Sequence, residues 1–227
     1  MQESRHDQLL MVRNLVIHFH TFDGVAKVLD GVGLEISEGE VVGLVGETGC
    51  GKSVTAKSIL GALPTPPARI ISGEIFFGSD DLLKLGQRAR WAILREKMKY
   101  IPQDPMTSLN PVFTIGQQMI DLLRWHGRLA VGLRVFLPAR NRKSLQQKAI
   151  QLLDEVQIPS PGEVLKRYPV ELSGGMRQRG LIAMSLIGTP ALLMADEPTT
   201  ALDVTVQKRV LELLMNKVRE KRLAMLS

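Results

Sequence analysis

Apolar and polar positions change their period several times along the chain, and each change marks an element. Leu10, Val12, Leu15, Ile17 and Phe19 alternate with polar neighbours, as do Val28, Val32, Leu34 and Ile36. Asp23-Gly24 lies between the two runs, so residues 9–36 read as antiparallel strands joined by a turn. Ser37-Glu38-Gly39-Glu40 then turns into Val41-Val42-Gly43-Leu44-Val45, a continuous apolar run that reads as a buried parallel strand. Residues 54–62 read as a helix, stopped by Pro64-Thr65-Pro66-Pro67. A strand is predicted over residues 70–77 with Gly73 inside it, a helix over 87–97, and a short strand over 99–103 that runs into a loop. Helical periodicity returns at 114–125, at 144–156 and from Ser173 to about Leu186. Ala191 to Ala195 reads as a buried strand. From Asp203 to about Arg222 an amphipathic helix carries Val206, Val210, Leu213, Leu214 and Val218 on one face. No internal repeat is visible.

Composition narrows the class. The 227 residues are 44% hydrophobic and 23% charged, enough to bury a core and too apolar for a disordered chain. A single cysteine excludes an internal disulfide and fits a reducing compartment. The opening residues 1–7 lack the apolar stretch of a secretion signal. The longest near-continuous apolar stretch, 180–195, is broken by Thr189-Pro190, so no membrane span is expected. The net charge of +6 permits contact with an anionic surface, lipid or nucleic acid, without choosing between them. Between Asp121 and Asp154 there is no acid but seven basic residues: Arg124, Arg128, Arg134, Arg140, Arg142, Lys143 and Lys148. Such a stretch reads either as a solvated helical face or as a surface facing anionic lipid head groups.

The candidate chemistry centres on Gly46-Glu47-Thr48-Gly49-Cys50-Gly51-Lys52-Ser53, a G-x-x-x-x-G-K-S phosphate-binding loop set between a strand and a helix. Glycines let the backbone curl so that several N–H groups point at phosphate oxygens, and the helix N-terminus adds positive partial charge. Lys52 supplies a cation for the β- and γ-phosphates, and the Ser53 hydroxyl a ligand for Mg²⁺. Cys50, beside Lys52 in that loop, is expected to react with alkylating reagents and to be protected by ATP. Residues 192–197 form an apolar strand ending in Asp196-Glu197. The first acid is placed to hold Mg²⁺ through its water shell, and the second to polarise an attacking water. Leu172-Ser173-Gly174-Gly175 opens a helix with a hydroxyl and bare N–H groups, a second anion site suited to the nucleotide of another copy.

Together these motifs resemble the ATP-binding subunit of an ABC transporter, over nearly the whole chain. The loop matches Walker A, residues 192–197 match Walker B, and residues 172–178 match the signature motif. The resemblance implies an α/β fold: a P-loop NTPase core of ABC type, an antiparallel β-subdomain and a helical subdomain near residues 104–171, together making one domain over 1–227. It implies MgATP contact along Gly46, Glu47, Thr48, Gly49, Cys50, Gly51, Lys52, Ser53 and Val54, with Ser173, Gly174 and Gly175 facing a second subunit. Gln103 matches the Q-loop glutamine that reaches Mg²⁺ and the attacking water, Asp203 lies in the matching D-loop, and Phe19 is the implied adenine-stacking aromatic, with Phe22 second. Implied partners are integral-membrane permease subunits, a second ATP-binding subunit and, indirectly, a solute-binding protein, at the cytoplasmic face of the inner membrane. No nucleic acid is implied, because residues 53–172 are too few for the coiled-coil insertion of the DNA-acting relatives.

A narrower resemblance, to the dipeptide/oligopeptide and nickel importers, rests on Gln103-Asp104-Pro105-Met106-Thr107-Ser108-Leu109-Asn110-Pro111, on Tyr168-Pro169-Val170-Glu171 and on residues 198–207. Val170 stands where a histidine is usual, and Thr48 and Cys50 where serines are. In that family a switch histidine follows the strand after the D-loop helix. Here Leu223-Ala224-Met225-Leu226-Ser227 looks like the start of that strand, and the histidines are His6, His18, His20 and His126. The resemblance therefore implies the ATP-binding and ATP-hydrolysing subunit of a di- or oligopeptide importer, with a nickel importer as one alternative. Because the chain is expected to be C-terminally shortened, with an unpaired apolar sheet edge and poor turnover, a remnant that binds ATP without effective turnover is the other.

Overall fold

The computed structural model describes residues 8–22, 24–130, 142–199 and 204–227. They form two compact units, one from 1–99, 191–196 and 222–227, the other from 100–190 and 197–221.

The first unit holds two sheets. β1 (Gln8–Thr21) and β2 (Gly24–Ser37) are the antiparallel strands expected from the alternation, and Ile17 pairs with Leu29 and Leu15 with Val32. β4 (Ala68–Phe77) pairs with the other side of β1, and the two-residue β5 (Asp80–Asp81) closes the order β2-β1-β4-β5. Leu10, Val12, Leu15, Ile17, Leu29, Ile36 and Ile75 are buried here. The β1–β4 register shifts between Arg13 and Val16, and Gly73 faces that bulge with φ +113°. A Cβ there would lie 2.6 Å from the Leu15 Cα, so only glycine allows the backbones so close.

The second sheet has the order β3-β8-β7-β6, from β3 (Val41–Val42), β6 (Met98–Ile101), β7 (Leu192–Ala195) and β8 (Ala224–Leu226). Both described ladders of β8 are parallel, and every residue of β7 and β8 is buried. The last apolar run, 223–227, is thus a strand flanked on both sides. The run 41–45 behaves differently from its prediction. Only Val41–Val42 joins the ladder, Leu44 N–H donates once to Ser227 C=O (2.5 Å), and the Val45 side chain is exposed. Among the described residues β3 is last in the strand order, with β8 as its ladder partner. α1 (Lys52–Ile59) and α2 (Gln87–Lys97) complete this unit.

The second unit is helical: α3 (Pro105–Ser108), α4 (Ile115–Ala130), α5 (Arg142–Glu155), α6 (Pro161–Val164), a 3₁₀ turn (Pro169–Glu171), α7 (Gly174–Ser185) and α8 (Val204–Glu220). α7 packs against α3, α4, α5 and α8. That central place explains its sequence: apolar and small residues lie all round it rather than in one stripe, and Ile182, Ala183, Met184 and Gly180 are buried. α8 buries Val210, Leu213, Leu214 and Val218, as its periodicity predicts. Lys217 and Lys221 reach Glu155 of α5 at 3.9 and 3.3 Å. The turns α3, α6 and β5 span too few residues for a period to show.

Candidate functional site

The phosphate-loop residues leave β3 and curl before α1. Gly49 and Gly51 take φ values of +86° and +101°, and Cys50 N–H donates to Glu47 C=O (3.2 Å). A Cβ on Gly51 would stand 2.6 Å from Leu29 Cδ2, and one on Gly46 would stand 2.6 Å from Cys50 Sγ. Gly51 is therefore required by its left-handed backbone and its neighbours, whereas Cys50 Sγ beside Gly46 ends a side chain that can turn away; Val28 and Leu29 of β2 are supporting residues that no motif points to. Gly51 is the N-cap of α1 and offers no side chain, and the first turn carries no acid. The helix N-terminus thus keeps its donors and its positive end for an anion. Val54 lies in that first turn, half-buried.

Lys52 folds back over the loop. Its Nζ donates to Gly46 C=O at 2.7 Å and Glu47 C=O at 3.0 Å, and lies 3.8 Å from Cys50 Sγ. Two neutral carbonyls are weak company for an ammonium, and a phosphate oxygen would form a stronger charge-assisted bond. Cys50 and Thr48 are exposed. Ser53 Oγ donates to Asp196 Oδ1 at 3.0 Å, joining the end of β7 to the start of α1. A hydroxyl and a carboxylate at that spacing are hard oxygen ligands. Among the described residues no three His, Cys, Asp or Glu gather as a metal cage. An ion held here draws its other ligands from phosphate and water, which is how Mg²⁺ is usually bound. Ser53 and Asp196 therefore fit Mg²⁺.

Within the second unit, Gln103 Nε2 donates to Glu197 Oε2 at 3.0 Å. Glu197 is exposed, and its φ of +45° is left-handed, an arrangement that costs a non-glycine residue about 1–3 kcal/mol. Its neighbour Asp196 follows the last residue of β7 without a left-handed φ, so the two acids are held differently. Ser173 caps α7 by accepting from Met176 N–H (3.3 Å), which leaves its own proton to donate. Gly175 lies against Val206, where a Cβ would come within 2.8 Å of Val206 Cγ1. Arg179 donates to Gln157 C=O (2.8 Å) and Gly175 C=O (3.3 Å). Burial, then the Arg209 guanidinium, lower its pKa from the usual arginine value.

Phe19 is half-buried in β1, paired with Ala26 on one side and Ala68 on the other, so small residues flank its ring. Phe22 is fully exposed. Asp203 and the rest of the predicted D-loop, Ala201-Leu202, lie outside the described residues. Of the seven predicted basic residues, Arg134 and Arg140 lie outside them too. No helix among the described residues is long and apolar enough to cross a membrane.

The family model described as ABC transporter matches residues 29–200. A probable peptide ABC transporter ATP-binding protein of Sinorhizobium fredii is 45% identical over 210 residues, covering 92% of this chain and 59% of the relative. The dipeptide transport ATP-binding protein DppD of Bacillus subtilis is 43% identical over 207 residues, covering 91% and 58%. The chain thus spans about three fifths of the length of these curated relatives. In fold it is similar to the ATP-binding cassette MJ0796, solved as a dimer in a post-hydrolysis state with ADP and Pi. There the TM-score is 0.77 and the identity 24%, covering 96% of this chain and 86% of the other. Matched over most of its length and built on the same α/β cassette, this chain belongs to the ABC transporter family.

Proposed function

We propose that this protein is the ATP-binding and ATP-hydrolysing subunit of an ABC importer for di- or oligopeptides. The observation that carries the ATP half is the loop between β3 and α1, with Lys52, Ser53 and Asp196 gathered at its end. The peptide half rests on relatives such as the two named above, whose names specify peptide and dipeptide transport.

In this reading the loop N–H groups and Lys52 hold the β- and γ-phosphates, and Phe19 stacks on adenine. Ser53, Asp196 and Gln103 hold Mg²⁺, which would neutralise charge on the phosphates when bound. Glu197 accepts the proton of the attacking water, and Gln103, hydrogen-bonded to it, orients the carboxylate. Ser173, Gly174 and Gly175 meet the γ-phosphate of a second ATP-binding subunit, with Asp203 beside that contact. Two such subunits close on two MgATP and drive permease subunits in the membrane, which assigns the chain to the cytoplasmic face of the inner membrane. A solute-binding protein delivers the peptide.

The test replaces the chromosomal copy by Lys52→Ala and measures uptake of a labelled dipeptide and a labelled tripeptide. Uptake of at least one is expected to fall to background. Unchanged uptake of both would remove the peptide assignment, and unchanged ATP binding by the same variant would remove the ATP assignment.

A further inference from the structure

The basic stretch singled out by the sequence is not used by any step above. In the helical unit, part of it converges on a cleft of about 440 Å³ between α4, α5 and the residues after α6. This lies within the range of small-molecule sites, roughly 300–1,000 Å³. Three cations from three segments line it: Arg124 of α4, Arg142 at the start of α5, and Lys166. Gln117 and Gln146 line it as well and offer amide donors. The opposing charges are few. Asp121 lines the cleft and lies 3.5 Å from Arg124, and Glu163 pairs with Lys166 at 2.8 Å. Arg142 has no acidic partner among the described residues, and the first described turn of α5 carries no acid.

We propose that this cleft binds the phosphate group of an anionic ligand. Two planar guanidinium forks and an ammonium on separate walls suit the several oxygens of a phosphate better than a single carboxylate. The glutamines supply further donors. Two sources present that chemistry, an anionic lipid head group and a soluble phosphate compound. The site lies apart in sequence from the phosphate loop, and it stands or falls independently of the transport reading.

Trp125 follows Arg124 on α4 and is 43% exposed, which makes it a local reporter. In the full chain carrying Trp91→Phe it is the one remaining tryptophan of two. Its emission is titrated with inorganic phosphate, with vesicles of phosphatidylcholine, and with vesicles of phosphatidylcholine mixed with phosphatidylglycerol. A saturable shift is expected with phosphate or with the mixed vesicles. Arg124→Gln/Arg142→Gln is expected to weaken it about tenfold, and Lys166→Gln to weaken it in the same direction. Lys143→Gln/Lys148→Gln removes the same charge from α5 outside the cleft and is expected to leave it within about twofold. Saturation by phosphate alone identifies a soluble ligand; response to mixed vesicles alone identifies the lipid head group; response to both makes the phosphate group sufficient. No response to either, or equal loss in the two double variants, overturns the proposal.

Discussion

Lys52 and Glu197 show how much of the chemistry rests on single side chains. The Lys52 ammonium is held by two carbonyls of its own loop and is ready to exchange them for phosphate oxygens. Lys52→Ala is expected to weaken binding of a fluorescent ATP analogue by more than about tenfold, or about 1.4 kcal/mol, in direct titration. Cys50 tests the same geometry without a mutation. Exposed and 3.8 Å from that ammonium, it is expected to react with an alkylating reagent more slowly under saturating MgATP; equal rates would put it away from the nucleotide. Glu197 separates backbone strain from chemistry. Glu197→Gln keeps the left-handed backbone and the size, so ATP binding should persist while hydrolysis drops about 10²–10⁴-fold. Glu197→Gly relieves the φ of +45°, so its unfolding free energy should match or exceed wild type by about 1 kcal/mol with hydrolysis equally lost. Full turnover by either variant removes Glu197 from the proton-accepting role.

At the scale of elements, close backbone approach decides which glycines matter. Gly116 and Gly180 both lie inside helices of the second unit, in α4 and α7. A Cβ on Gly116 would stand 2.6 Å from the Leu165 carbonyl oxygen, which is main chain and cannot swing away; one on Gly180 would meet nothing within 4 Å. Gly180→Ala is therefore expected to stabilise by up to about 1 kcal/mol through helix propensity, and Gly116→Ala to destabilise by about 1–3 kcal/mol, in denaturant unfolding. Equal effects would mean that α4 can shift off the residues after α6. Periodicity made the long elements legible: α2 covers the predicted residues, and α4, α5, α7, α8, β1 and β2 differ from prediction mainly at their ends. The phosphate loop was legible too, because its spacing is fixed by the phosphate. Pairing was not. The run 41–45 is as apolar as a central strand yet is placed last in its sheet, since neighbours are set by residues far away in sequence. The left-handed Glu197, the Gly175–Val206 contact and the three-walled basic cleft come from tertiary packing and leave no periodic trace.

For the whole molecule, binding and folding are one account. The loop, α1 and Asp196 belong to the first unit, which collects its sequence from three separate stretches, 1–99, 191–196 and 222–227. Lys52, Ser53 and Asp196, expected to meet the phosphates and Mg²⁺, come from two of them, so a ligand that binds only the folded form must favour the assembly of this unit. At a hundred times its dissociation constant such a ligand adds about 2.7 kcal/mol. For a chain of this size that corresponds to a rise in Tm of roughly 5–10 °C. Trp91 lies in α2 of this unit and is 57% exposed, so a Trp125→Phe protein reports its melting by fluorescence. A non-hydrolysable ATP analogue with Mg²⁺ is expected to raise that Tm by this amount, and chelating the Mg²⁺ to remove part of the rise. Ser53→Ala, which breaks the 3.0 Å bond to Asp196, is expected to lose the Mg²⁺-dependent part and keep the rest. Lys52→Ala is expected to lose most of both. A rise that is the same in all three proteins would mean that the nucleotide binds elsewhere on the chain.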